Sequence, residues 1–328
     1  MSRTMSTDGP PSPAETVPKT PPATAATPAV RLPRRRPRRI LKAYAVWITA
    51  FVAAGAILFI AASGPGVLQG LAETALSLLT WQTLAIVLAA LACEYVDSTL
   101  GMGYGTTLTP ALLLAGFQPL TIVPAVLLSE LVTGITSGIM HHGAGNVNFR
   151  RGSRHRHVAM VLAACSVVGT LAAVAISIQI PRWALTGYIG VLVLGIGITI
   201  LATMHRTFAF SWKRIAGLGL LAAFNKGMSG GGYGPVVSGG QVLSGMDAKQ
   251  AVGITSMAEG LTCVVGAGLY MLTTGIDSRL ALPLVVGAML SVPLSVHSVR
   301  AVKDRHLRLA IGVLTLVLGA ATLVRLVW

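Results

Sequence analysis

The sequence predicts an all-α polytopic membrane protein, with two inverted-topology repeats that carry glycine-broken helices and an extra N-terminal transmembrane helix. Three observations predict it. The 328 residues are 53% hydrophobic and only 11% charged, with positive mean hydropathy; that balance excludes an ordinary soluble globule. A glycine motif is written twice, as Gly101-Met102-Gly103-Tyr104-Gly105 and Gly230-Gly231-Gly232-Tyr233-Gly234, 129 positions apart. The register continues without a gap through Gly116 and Gly245, Val123 and Val252, Glu130 and Glu259, and Thr133 and Thr262. Tyr and Glu are scarce here, so their recurrence in register marks a duplication. Third, the basic residues gather in alternate loops between apolar runs.

Each element follows from its own stretch of chain. Residues 1–42 are rich in Pro, Thr, Ala and Ser and hold 9 Lys/Arg against 2 Asp/Glu, a surplus of +7. They read as a disordered basic tail, held in the cytoplasm and able to touch anionic lipid. The next segment, 43–77, opens on an apolar stretch of about 20 residues, long enough to cross a bilayer and too long for a signal-peptide core. It reads as an uncleaved helix. Repeat one, 78–204, holds apolar runs at 78–96, 108–117, 120–140, 158–178 and 183–204, the first two separated by the glycine motif. A basic linker, 205–214, leads to repeat two, 215–328. Its runs at 215–224, 235–243, 248–272, 280–296 and 309–327 keep the same order around the second motif.

Charge sets the relative orientation of the copies. The loop after the third element carries Arg150, Arg151, Arg154 and Arg156 in repeat one, but only Asp277 and Arg279 in repeat two. The last loop reverses this, with Arg182 alone in repeat one and Arg300, Lys303, Arg305 and Arg308 in repeat two. Under the positive-inside rule, equivalent loops face opposite sides, so the repeats are inverted. Charge leaves open whether the short pieces beside the glycines re-enter, giving nine full spans, or cross, giving eleven. The expected location is the cytoplasmic membrane, multi-pass, with a cytoplasmic N-terminus.

Glu94, Asp97, Glu130, Lys226 and Glu259 lie in or beside apolar runs. A charge in hydrocarbon costs about 2.5–3.5 kcal/mol even on lenient insertion scales, so each needs a partner or a wet cavity. Asp97 and Lys226 are repeat mates, each five residues before the centre of its glycine triplet. They are expected either to pair or to leave Lys226 free for an anion; the competing reading is an ion pair that only joins the repeats. Glu130 and Glu259 are candidates for proton or cation coupling, against a plain helix–helix hydrogen bond. The glycines break helices and bare N–H groups with a positive dipole end, a site for anions without a full buried charge. Gly101, Gly103, Gly105, Gly230, Gly232 and Gly234 form those breaks, and Ser98, Thr106, Asn225 and Ser229 flank them as further donors. Close helix packing through small residues is the alternative.

Other chemistries find little support. Cys93, Cys165 and Cys263 sit in apolar runs without ligand spacing. The histidines, His141 and His142 among them, read as interfacial residues at span ends. The glycines lack the strand–turn–helix context of a dinucleotide loop, and two inverted copies do not line a four-fold ion filter. No nucleophile–base pair points to an enzyme, and no cofactor or metal is expected. The +15 charge is explained by loop bias, with no nucleic-acid module attached.

A span entering a Gly-x-Gly-x-Gly break, then a short apolar piece ending in Gly and a helix rich in small and hydroxyl residues, all duplicated, resembles the TauE/SafE family of sulfite exporters. The residues that carry the likeness are Gly101 to Gly105 with Pro110 and Gly116, and Gly230 to Gly234 with Pro235 and Gly245. Thr255-Ser256 matches the family's Thr-Ser, where repeat one has Leu127 with Ser129 nearby. Repeat one also departs in Met102 and Thr106. The resemblance covers residues 78–327. It implies a permease for sulfite, sulfonates or related organic acids, with a small anionic substrate and membrane lipid as partners; a homo-oligomer is compatible with it. An uncoupled anion channel is the alternative.

Overall fold

The computed structural model describes residues 80–203, 211–244, 246–299 and 304–327. The expected tail, the expected extra N-terminal helix and most of the 205–214 linker lie outside the described residues. Within them every element is an α-helix. The first copy gives α1 (Trp81–Leu100), α2 (Tyr104–Leu114), α3 (Pro119–Gly143), α4 (Arg154–Ser177) and α5 (Arg182–Thr203). The second gives α6 (Trp212–Ser229), α7 (Tyr233–Leu243), α8 (Ala248–Thr273), α9 (Ser278–Ser298) and α10 (Asp304–Val327). Seven of the long helices are apolar and long enough to cross a membrane; α6 falls outside that set.

The breaks differ from the run boundaries read off hydropathy. The apolar run ends at Asp97, yet α1 continues to Leu100 and stops where Gly101 takes a left-handed φ of 68°. Gly230 does the same for α6 at φ 70°. An L side chain rarely adopts that conformation, so glycine ends both helices. The short helices α2 and α7 have 11 residues each. At 1.5 Å per residue that is about 16 Å, half a hydrocarbon core.

Both short helices double back. Thr107 on α2 donates its hydroxyl to Cys93 Sγ on α1 at 3.2 Å, and the Tyr104 N–H reaches Asp97 Oδ1 at 3.3 Å. On the other copy, Gly240 of α7 lies against Leu218 of α6. The chain therefore forms two helical hairpins, α1–α2 and α6–α7, tipped by the glycine motifs.

Equivalent helices from the two copies pack against each other antiparallel. Along α3 and α8, Gly134 meets Ser256 and Gly260, Gly138 meets Met257, and His141 meets Gly253. Along α5 and α10, Gly190 meets Leu323, Gly197 meets Leu316 and Gly312 meets Leu201. The remaining long helices exchange partners between copies: α1 lies on α9, with Gly287 against Val87, and α6 lies on α4, with Gly169 against Leu220. Lipid tails are as apolar as Leu, so helix association here rests on close packing and hydrogen bonds rather than on escape from water. Small residues at these crossings let the backbones approach.

Candidate functional site

The hairpin tips meet. A Cβ at Gly105 would overlap the Gly230 carbonyl, and one at Gly234 would overlap the Gly101 carbonyl. Gly105 and Gly234 are repeat mates, as are Gly101 and Gly230, so the contact is reciprocal. Two hydrogen bonds stitch the crossing. The Gly232 N–H donates to Thr106 Oγ1 at 3.1 Å, and Ser238 Oγ donates to the Leu100 carbonyl at 3.1 Å. Gly103 begins α2 at φ 138° and Gly232 begins α7 at φ 81°. Ser229 closes its own turn, accepting from the Gly231 N–H at 3.1 Å and donating to the Asn225 carbonyl at 2.8 Å. Asn225 Oδ1 accepts from the Tyr188 hydroxyl of α5 at 2.7 Å.

Beside the crossing is a buried charged cluster. The α3–α8 contact brings Glu130 and Glu259 to either side of Lys226, whose side chain is 0% exposed. Nζ donates to Glu259 Oε1 at 2.7 Å and also contacts Glu130 Oε2. The expected Asp97–Lys226 pair does not form, and Lys226 is not free. The reason is positional: Asp97 and Lys226 lie on α1 and α6, which pack on α9 and α4, whereas Glu130 and Glu259 lie on two helices that cross each other. Asp97 instead accepts from the Tyr104 N–H at the start of α2, so a carboxylate of the protein itself stands at that helix N-terminus.

Two neighbours of the cluster complete it: Glu94, named from the sequence without a partner, and His141, which the sequence reading misplaced. Glu94 is 2% exposed; its Oε1 accepts from Ser98 Oγ at 2.6 Å, and its Oε2 lies 3.2 Å from Thr133 Oγ1. His141, read as interfacial, is 0% exposed. Its Nε2 sits 3.0 Å from the Ser98 carbonyl, and its Nδ1 sits 3.0 Å from Asn146 Nδ2. The mate of His141 is Tyr270, whose hydroxyl donates to the Gly227 carbonyl at 2.9 Å. Ser98 and Gly227 are themselves mates. The long helix of each copy thus caps a carbonyl left bare by the break in the hairpin, and the 129-residue offset of a His and a Tyr was the signal for it.

The two hairpins have unequal surroundings. A cavity of about 310 Å³ opens between α5, α6 and α7, lined by Ile196, Leu218, Pro235, Gly239 and Leu243, and reaches Met102 at the first tip. The end of α2 is instead held by Arg325 of α10, which donates to the Leu113 carbonyl at 3.1 Å and to the Leu114 carbonyl. Ile196 and Arg325 occupy matched positions in the two copies.

Residues 85–322 match the family described as "Sulfite exporter TauE/SafE". A relative from Bacillus subtilis (strain 168), described as "Probable membrane transporter protein YtnM", is 24% identical over 246 residues, 70% of this chain and 79% of its own length. No solved structure matches the chain significantly.

Proposed function

The chain belongs to the TauE/SafE sulfite exporter family of membrane transporters, and on that premise we propose that it carries sulfite, sulfonates or related small organic acids across the cytoplasmic membrane, coupled to protons. The observation that carries the reading is Lys226 held between Glu130 and Glu259 beside two meeting helix breaks. An ammonium buried with two carboxylates is a charge clamp. An anion arriving at the tips competes with the glutamates for Nζ. A proton entering this buried carboxyl cluster cancels one negative charge and loosens the glutamates' hold on the ammonium, so anion and proton load together. The Gly231 and Gly232 N–H groups and the Ser98 and Ser229 hydroxyls, each given to a partner within the protein in this state, are with Thr106 and Asn225 the neutral donors that an arriving anion would recruit around the same point. The cavity that ends at Met102 gives access from one side.

The antiparallel packing of equivalent helices supports repeats inverted in the membrane. The hairpins then enter from opposite faces, and rocking of one copy against the other exposes the tips alternately. The loop charges support a cytoplasmic position for the face bearing Arg150, Arg151, Arg154 and Arg156, and for the N-terminus.

The test is uptake of labelled sulfite, sulfoacetate and chloride into proteoliposomes, with and without a pH gradient. Saturable, gradient-driven flux of a sulfur anion is expected. Fast chloride flux that ignores the gradient would replace the carrier with a channel. Anion transport that survives intact in an inserted Lys226→Ala, Gly232→Leu double variant would remove the site assignment.

A further inference from the structure

Glu94 stands apart from the other buried carboxyl groups. Glu130 and Glu259 are repeat mates tied to one ammonium, and Asp97 is the mate of that lysine. The mate of Glu94 is Ala223, so the second copy has no carboxyl at this place. No cation lies within ion-pair distance of Glu94 among the described residues; its near partners are two hydroxyls. The groups around it can be named element by element. On α1 they are Cys93 and Asp97; on α2, Tyr104; on α3, Glu130 and, through Ser98, His141; on α8, Glu259. The titratable residues of α9, Arg279 and His297, are exposed, and Arg325 lies at the far end of α10.

The hydrogen atoms can be counted. Thr133 has one hydroxyl proton and two acceptors in reach, the Ser129 carbonyl at 3.1 Å and Glu94 Oε2 at 3.2 Å. When Glu94 is ionised, the Thr133 hydroxyl turns to it and Ser98 supplies the second donor. When Glu94 is neutral, its own Oε2–H donates to Thr133 Oγ1, and the Thr133 proton returns to the Ser129 carbonyl, the usual back-bond of a helical threonine. Both protonation states therefore leave every oxygen satisfied, which a buried polar group needs. Neither Glu130 nor Glu259 has this arrangement.

We propose that Glu94 is the carboxyl that binds and releases the proton moved with the anion, while Glu130 and Glu259 act as the clamp on Lys226. The Oε2–H bond forms with a proton taken from water on one side and breaks to return it to water on the other. Thr133 switches acceptors at each step and is a positioning residue. The inference rests on the carrier reading above, and it places proton binding in one copy only.

Two measurements test it. In proteoliposomes, Glu94→Gln is expected to keep saturable anion exchange and to lose acceleration by a pH gradient, with no proton movement reported by an internal pH dye. In infrared difference spectra of the full-length protein, the C=O stretch of a protonated carboxyl is expected to disappear in Glu94→Gln and to shift in Thr133→Val. Gradient-driven flux and an infrared band both unchanged in Glu94→Gln would overturn the proposal. Coupling kept in Glu94→Gln but lost in Glu259→Gln would also overturn it and leave the carrier reading intact. Wild-type protein that moves no anion would instead end the carrier reading, with the infrared band still deciding whether Glu94 holds a proton.

Discussion

Replacing Lys226 by methionine would leave Glu130 and Glu259 facing each other across the space the ammonium fills. At the 2.7 Å observed between Nζ and Glu259, the attraction lost is about 6 kcal/mol at an effective dielectric near 20. Desolvation of the ion pair offsets much of this in the parent. The net cost of deleting one partner of a buried pair is about 3–5 kcal/mol. A typical folded domain is stable by only about 5–15 kcal/mol, so Lys226→Met should lower stability sharply. The triple variant Lys226→Met, Glu130→Gln, Glu259→Gln removes the charges together and should recover most of the loss, because well-packed neutral replacements of buried ion clusters are often neutral or better. The assay is thermal unfolding in detergent, followed by size exclusion, for the parent and both variants. A single variant as stable as the parent, or a triple variant less stable than the single, would refute the charge-clamp reasoning.

Three further perturbations separate packing, capping and access. Gly105→Ala and Gly234→Ala should each cost about 1–3 kcal/mol or more by overpacking against a backbone carbonyl and abolish transport. Gly195→Ala, on an open helical face, should be neutral or gain about 0.5–1 kcal/mol, and equal unfolding temperatures for all three would contradict the crossing. Tyr270→Phe strips the bond to the Gly227 carbonyl and should cost about 1–3 kcal/mol, visible as a lower unfolding midpoint; an unchanged midpoint would mean the cap is idle. Gly239→Leu fills the cavity beside Met102 where a side chain meets nothing; it should stop uptake while leaving the unfolding midpoint in place, and normal uptake would show that the cavity is not a route.

Much of this was legible in the chain. Apolar runs gave the long helices, and the 129-residue offset gave the matching order of elements. The glycines marked both breaks, and the buried ionisable residues were all in view. The partners of Lys226 were not. An offset names symmetry mates, but mates touch only where their own helices cross, and that depends on which helix each packs against. Glu130 and Glu259 meet because α3 and α8 cross at Gly134 and Gly260. Hydropathy also misread two details. It ended the first run at Asp97 although a charged residue can stay helical inside a protein interior, and it put His141 at a surface although a bare carbonyl on α1 draws it in.

The contact of Gly105 with the Gly230 carbonyl, and of Gly234 with that of Gly101, makes each glycine motif the mould of the other. The side-chain size permitted at Gly105 and at Gly234 is dictated by the other copy's main chain. A chain cut in the 205–210 stretch would yield two halves that each present an unmatched hairpin tip. Each half is the other's steric complement at this contact, so the two are one mechanical part.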